Sequence, residues 1–98
     1  MENNELIPIE NFYLHYKIEP GFITSLYELQ VVEITIKEEQ QYIAVAHLPY
    51  VEKLIRLHHD LKLDTEALSV TMHLLDKIDT LQNQLNHLSA RLKLYEEL

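Results

Sequence analysis

Thr80–Leu92 reads TLQNQLNHLSARL, with leucine at 81, 85, 88 and 92 and only polar, charged or small residues between. On a helix these leucines form one narrow apolar stripe. Upstream it continues through Ile78 to Leu74, and downstream to Tyr95, in steps of 4, 3, 4, 3, 4 and 3 residues. That is a heptad seam, the pattern of one helix lying against another. No Gly or Pro occurs after Pro49, and Asp64 or Thr65 can cap a helix start, with Glu66 facing the positive end of the dipole. The sequence therefore predicts one helix over 65–98, roughly 50 Å long at about 1.5 Å per residue. The residues before it, if compact, form a body of roughly 28 Å diameter, so the helix must overhang. From Ala67 to Ile78 the apolar arc is wide (Leu68, Val70, Thr71, Met72, Leu75) and can serve both the body and a partner. Past it, the narrow seam fits only another helix. A second copy is the simplest cover, with Leu74, Ile78, Leu81, Leu85, Leu88, Leu92 and Tyr95 as the dimer interface. The other cover is a helix folded back on its own body, which the length disfavours. The flanking charges leave a parallel and an antiparallel pair equally open.

Moving towards the N-terminus, the segment Lys62–Thr65 breaks a third helix opened by Pro49, whose inner face is Val51, Leu54, Ile55, His58 and Leu61. Before it, Val32, Ile34 and Ile36 alternate with Glu33, Thr35 and Lys37, then Glu38–Gln40 turn the chain into a run bracketed by Tyr42, Ala44 and His47. Period two on both sides of a polar turn predicts a hairpin. Earlier still, Ile9, Phe12, Tyr13 and Tyr16 keep helical spacing over 9–16. Pro20 suits the first position of a second helix with Phe22, Ile23, Leu26 and Tyr27 inward. Two short helices, a tight turn and a hairpin make a helix-turn-helix with a wing. The expected architecture is mostly α: a winged helix-turn-helix body over 1–64 with a small β-hairpin wing, and a long coiled-coil dimerisation helix over 65–98, one domain overall.

The totals limit the function. The chain has 98 residues, net charge −8, six histidines and no cysteine. That leaves no disulfide, thiolate metal site or cysteine nucleophile. There is no Gly-rich phosphate loop and no serine elbow, so the expectation is no enzyme and no small-molecule substrate or cofactor. His58 and His59 are adjacent and point about 100° apart on a helix; His15, His47, His73 and His87 lack ligand spacing, so no metal is expected. No basic leader or membrane-length apolar run occurs, so a cytoplasmic location and no membrane contact are expected. Two helices and a wing are a DNA-reading layout, yet Glu19–Gln30 holds two glutamates and no Lys or Arg, and the wing sets Lys37 against Glu33, Glu38 and Glu39. Phosphate contacts need several cations on one face, so direct nucleic-acid binding is disfavoured.

This order of elements resembles the MerR-like winged-helix family, and Leu54–Leu68, LIRLHHDLKLDTEAL, is similar to that family's third-to-fourth helix junction. Within it, the chain more closely resembles the chaperone-modulator (CbpM) family. The matching residues are Phe12 with Leu14-His15 and Ile18; Leu26 with Glu28 and Val31-Val32-Glu33; Arg56-Leu57 with His59 and Leu61; Leu63-Asp64; Leu74-Leu75-Asp76 with Ile78, Leu81 and Leu85; and Arg91-Leu92. Gln30 and Lys62 stand where that pattern has glycine. The resemblance implies an adaptor that binds the J-domain of a CbpA-like co-chaperone and inhibits both its stimulation of DnaK and its DNA binding. The alternative it leaves is a DNA-binding MerR-type transcriptional regulator. J-domains offer DnaK a basic helix, so Glu28, Glu33, Asp60, Asp64, Glu66 and Asp76 are the candidate partner-binding residues. Each also has a plainer role: Asp64 can cap, Glu66 can serve the helix dipole, and the others can keep the surface soluble.

Overall fold

The computed structural model describes residues 5–97. In chain order they form β1 (Leu6–Pro8), α1 (Ile9–His15), α2 (Phe22–Glu28), β2 (Thr35–Lys37), β3 (Gln40–Ala44), a 3₁₀ turn (Val45–His47), α3 (Leu48–Leu61) and α4 (Thr65–Glu96). This is the mostly α winged helix-turn-helix with a long last helix that the sequence predicts. The wing is larger by one strand: β1 pairs antiparallel with β3, giving the order β1-β3-β2. Ile7 faces Ile43 across that pair, and Thr35 faces Tyr42 across the other.

The helix-turn-helix differs from expectation at its second start. Gly21, the only glycine, takes φ +88° and precedes the first helical residue, Phe22. A left-handed residue cannot continue an α-helix, so Pro20 lies outside it. The Gly21 carbonyl still accepts from the Ser25 amide at 2.8 Å. At the far end Gln30 takes φ 63°, the Gln30 amide donates to the Tyr27 carbonyl, and the Val31 amide donates to the Leu26 carbonyl. This is a Schellman end, in which the left-handed position is usually glycine. Lys62, ending α3, is left-handed too, at φ 55°. Gln30 and Lys62, the two positions where the resemblance leads one to expect glycine, therefore both take a backbone that favours glycine.

The hairpin is shorter on its first side than the alternation implied. Val32 enters the core from a loop, β2 begins only at Thr35, and Ile36 is 59% exposed. On β3 the buried residue is Ile43, not Tyr42 or Ala44. Glu38 and Glu39 join the strands, both at positive φ (49° and 65°), as a two-residue turn matched to strand twist requires.

One core gathers these elements: Ile9 and Phe12 of α1, Phe22, Ile23 and Leu26 of α2, Val51, Leu54 and Ile55 of α3, Leu68 of α4, with Ile18, Val32 and Ile43 from the connections and sheet. Tyr27 and Leu61, expected inward, are exposed. Tyr16 instead reaches across to α3, its hydroxyl donating to Glu52 Oε2 at 2.5 Å. That bond, then burial and the Glu52 charge, raises the tyrosine pKa above its ordinary 10.0. Two adjacent histidines tie loops to α3. His58 Nδ1–H donates to the Leu63 carbonyl at 2.6 Å and His59 Nε2–H to the Lys17 carbonyl at 2.7 Å; a carbonyl only accepts, which fixes both tautomers.

Asp64 caps α4, its Oδ1 accepting from the Ala67 amide at 2.8 Å. The first turns of α4 lie against α2 and α3. The rest projects, giving a molecule of 61 × 36 × 20 Å. Every described residue from His73 onward is exposed.

Candidate partner-binding surface

The six acidic candidates do not form one patch. Glu28 ends α2 and Glu33 lies in the loop that leads to the wing; both are exposed, and the Glu33 amide donates to His47 Nε2 at 3.4 Å. Asp60, Asp64 and Glu66 are exposed around the α3–α4 junction. Asp76 lies further along α4, where its charge adds to burial in raising the Tyr50 pKa. The Tyr50 ring in turn stacks on His47, with centroids 5.1 Å apart.

Sequence reading missed members of both groups. At the junction, a cleft of about 230 Å³ places Glu19 and Phe22 of the helix-turn-helix beside His58, Asp64 and Thr65. No residue pattern announces this, because it joins segments more than thirty positions apart. On the other face, Tyr27 and Leu29 at the end of α2 and Ile36 on the wing are exposed at 40%, 38% and 59%. Helical spacing places Tyr27 inward, and nothing local shows that the body ends before it reaches it. Glu38 and Glu39 complete an acidic wing tip.

A second cleft, of about 340 Å³, lies between α1, β1 and α3, with Ile7, Phe12, Tyr16 and Leu48 in its walls. It is mainly apolar. No group of three or more His, Asp or Glu side chains could hold a metal ion among the described residues. No described helix is long and apolar enough to cross a membrane.

The α2 surface itself decides the character of the fold's reading face. FITSLYE carries one acid and no cation. The predicted seam residues run along α4 with Leu74, Ile78, Leu81, Leu85, Leu88, Leu92 and Tyr95 each 53–67% exposed.

A helix-turn-helix, a wing beside it and a capped long helix define a winged helix-turn-helix regulator. Residues 7–90 match the family described as MerR HTH family regulatory protein, and the chain belongs to that family. No curated protein and no solved structure gives a significant match.

Proposed function

We propose that the protein is a non-enzymatic, cytoplasmic adaptor of the chaperone-modulator type. In this reading a homodimer binds the J-domain of a CbpA-like co-chaperone and inhibits the co-chaperone's stimulation of DnaK and its DNA binding. The observation that carries the reading is the cation-free α2 in a MerR-family fold, with Glu28, Glu33, Glu38 and Glu39 exposed around it. A surface of that charge repels phosphate and attracts a basic protein face. The end-to-end resemblance to chaperone modulators supports the same partner.

Surface plasmon resonance with the purified J-domain of a co-chaperone from the same cell tests it. Opposite charges mainly speed encounter and are screened by salt. The association rate should fall as salt rises from about 50 to about 500 mM, with the dissociation rate changing much less. Added protein should also suppress J-domain-stimulated ATP hydrolysis by DnaK. A J-domain that neither binds nor loses activity ends the reading.

A second reading, a DNA-binding transcriptional regulator, is also compatible with membership of this family. Low-salt gel shifts separate the two. The adaptor reading expects no retention of random duplex tighter than roughly 100 µM, the weak end of ordinary non-specific binding. Tight, sequence-selective retention would put the regulator first.

A further inference from the structure

Beside α2 and along the wing, exposed acids and exposed large apolar side chains share one short length of chain outside the α4 seam. Tyr27, Leu29 and Ile36 fall within ten residues, and each keeps more than a third of its surface in solvent. Between Tyr27 and Gln40 there are four glutamates, Glu28, Glu33, Glu38 and Glu39, and a single cation, Lys37. All four glutamates are exposed. None makes a side-chain ion pair or hydrogen bond within the described residues. At the α3–α4 junction the situation is different. Asp64 is held by its cap, and Glu66 sits in the first turn of α4, where the helix dipole already engages it.

Gln30, Glu38 and Glu39 are left-handed, a conformation that costs a non-glycine residue about 1–2 kcal/mol. Gln30 follows Leu29 at the end of α2, and Glu38 and Glu39 follow Ile36 and Lys37 at the wing tip. Protein-docking surfaces have this form, with aromatic and aliphatic groups at the centre and a charged rim. A nucleic-acid surface needs the opposite charge.

We infer that the face a winged helix normally turns to DNA is here a protein-docking surface, with Tyr27, Leu29 and Ile36 as its apolar centre, and that its occupant is a basic amphipathic helix of another protein. The occupant lays its apolar side on Leu29 and Ile36 and its lysines or arginines against Glu28, Glu33 and the wing-tip glutamates. This deepens the adaptor reading by choosing one face for the partner, and rests on it only for the partner's identity.

The test uses the full chain, isotopically labelled, in two titrations. One uses the purified J-domain. The other uses a synthetic helical peptide of about twenty residues, apolar on one side and Lys/Arg-rich on the other, with no J-domain sequence; that length makes about five helical turns. The expected result is that both perturb amides between 27 and 40. The variants Leu29→Ser and Ile36→Ser should each weaken both ligands about tenfold, the loss of one buried apolar contact. Asp60→Lys should change either by less than about twofold, a distant surface charge at moderate salt. Both apolar residues are exposed, so the variants keep the fold, and unchanged amide spectra outside 27–40 verify it. If the peptide perturbs 27–40 and the J-domain does not bind, the adaptor reading fails and the docking surface stands. If the ligands instead perturb 58–68, the surface is wrong and the adaptor reading stands. If neither ligand touches 27–40, or if duplex DNA does so with Ile36→Ser without effect, the inference is overturned.

Discussion

The body and the projecting part of α4 hold the same kinds of apolar residue in opposite states. Leu26, Leu54 and Leu68 have no exposed surface, whereas Leu81, Leu85, Leu88 and Leu92 keep more than half of theirs. The body closes its core within one chain, through residues of four helices (α4 contributing Leu68), a sheet and the connecting loops. The projecting helix has nothing to close on. Most of a helix's stability in a protein comes from packing its apolar face, so the projecting leucines are the part of the sequence that asks for a second chain. The teaching of the contrast is that one sequence carries two folding problems, the first intramolecular and the second, on the proposed homodimer, intermolecular.

The strongest way to break this contrast is to charge the seam. Replacing Leu85 and Leu88 together by Asp would bury two carboxylates per chain at the proposed interface, a cost of several kcal/mol each unless they stay solvated. Sedimentation equilibrium at tens of micromolar should then give monomers, and circular dichroism should lose helix signal from the projecting segment while the body melts as before. A native chain already monomeric at that concentration would remove the intermolecular half of the contrast.

Cutting the body instead should do the reverse. Leu54→Ala empties a sealed site among Phe12, Leu26 and Leu68 and should cost about 2–5 kcal/mol. Urea unfolding measures it. Since a small domain has only about 5–15 kcal/mol to lose, the variant should melt tens of degrees lower or not fold. An equal loss from Leu85→Ala in dilute protein would show that seam and body do not differ as described.

How legible all this was depends on what each signal measures. Periodicity placed Leu74 to Tyr95 on one long helix because a heptad is a property of the chain alone, and Asp64, one of two cap candidates, is the one that caps it. It misplaced Tyr27 and Leu61 because burial depends on where the body stops. β1 went unread: a three-residue strand containing Pro8 has too few positions to show alternation, and its existence depends on pairing with β3. The start of α2 was read one turn feature too early, because Pro20 signals a helix and the left-handed Gly21 that delays it has no visible pattern. The acidic surface was legible as charge and illegible as a patch; six residues were named, and the fold separates them into an α2–wing group, a junction group and Asp76.

A smaller effect tests how α1 is tied to α3. Tyr16→Phe removes the only side-chain bond shown to Glu52 and should cost about 1–2 kcal/mol, at the low end for a bond to a charged group because the site is half-buried. The folded pKa of Tyr16 is raised, so the folded state holds the proton more tightly than the unfolded chain. Its contribution is complete below pH 10 and is lost as pH rises through the folded value. Native protein should therefore lose stability more steeply above pH 10 than Tyr16→Phe does, with the two curves converging. Tyr50, also raised, provides a background slope common to both.

The smallest expected change is a gain, and it sharpens the contrast from the body's side. Gln30 and Lys62 occupy left-handed positions at φ 63° and 55°, where a Cβ crowds the following carbonyl at a cost of about 1–2 kcal/mol. Glycine removes that strain but gives the unfolded chain more freedom, worth about 0.4–1 kcal/mol in the other direction. The net for Gln30→Gly or Lys62→Gly is a stabilisation of about 0.5–1 kcal/mol, or a few degrees in Tm for a domain of this size. Gly21→Ala is the matched control. Nothing lies within 4 Å of a Cβ built there, yet its φ is +88°, so alanine should lower stability through backbone strain, by about 0.5–1 kcal/mol net of the unfolded chain's lost freedom. Both gains should appear in the thermal unfolding of the body and leave the monomer–dimer constant unchanged, because neither residue lies on the seam. A loss of stability from Gln30→Gly would mean that the glutamine side chain contributes more at the end of α2 than its backbone costs, and the left-handed positions would then owe their residues to something other than tolerance of strain.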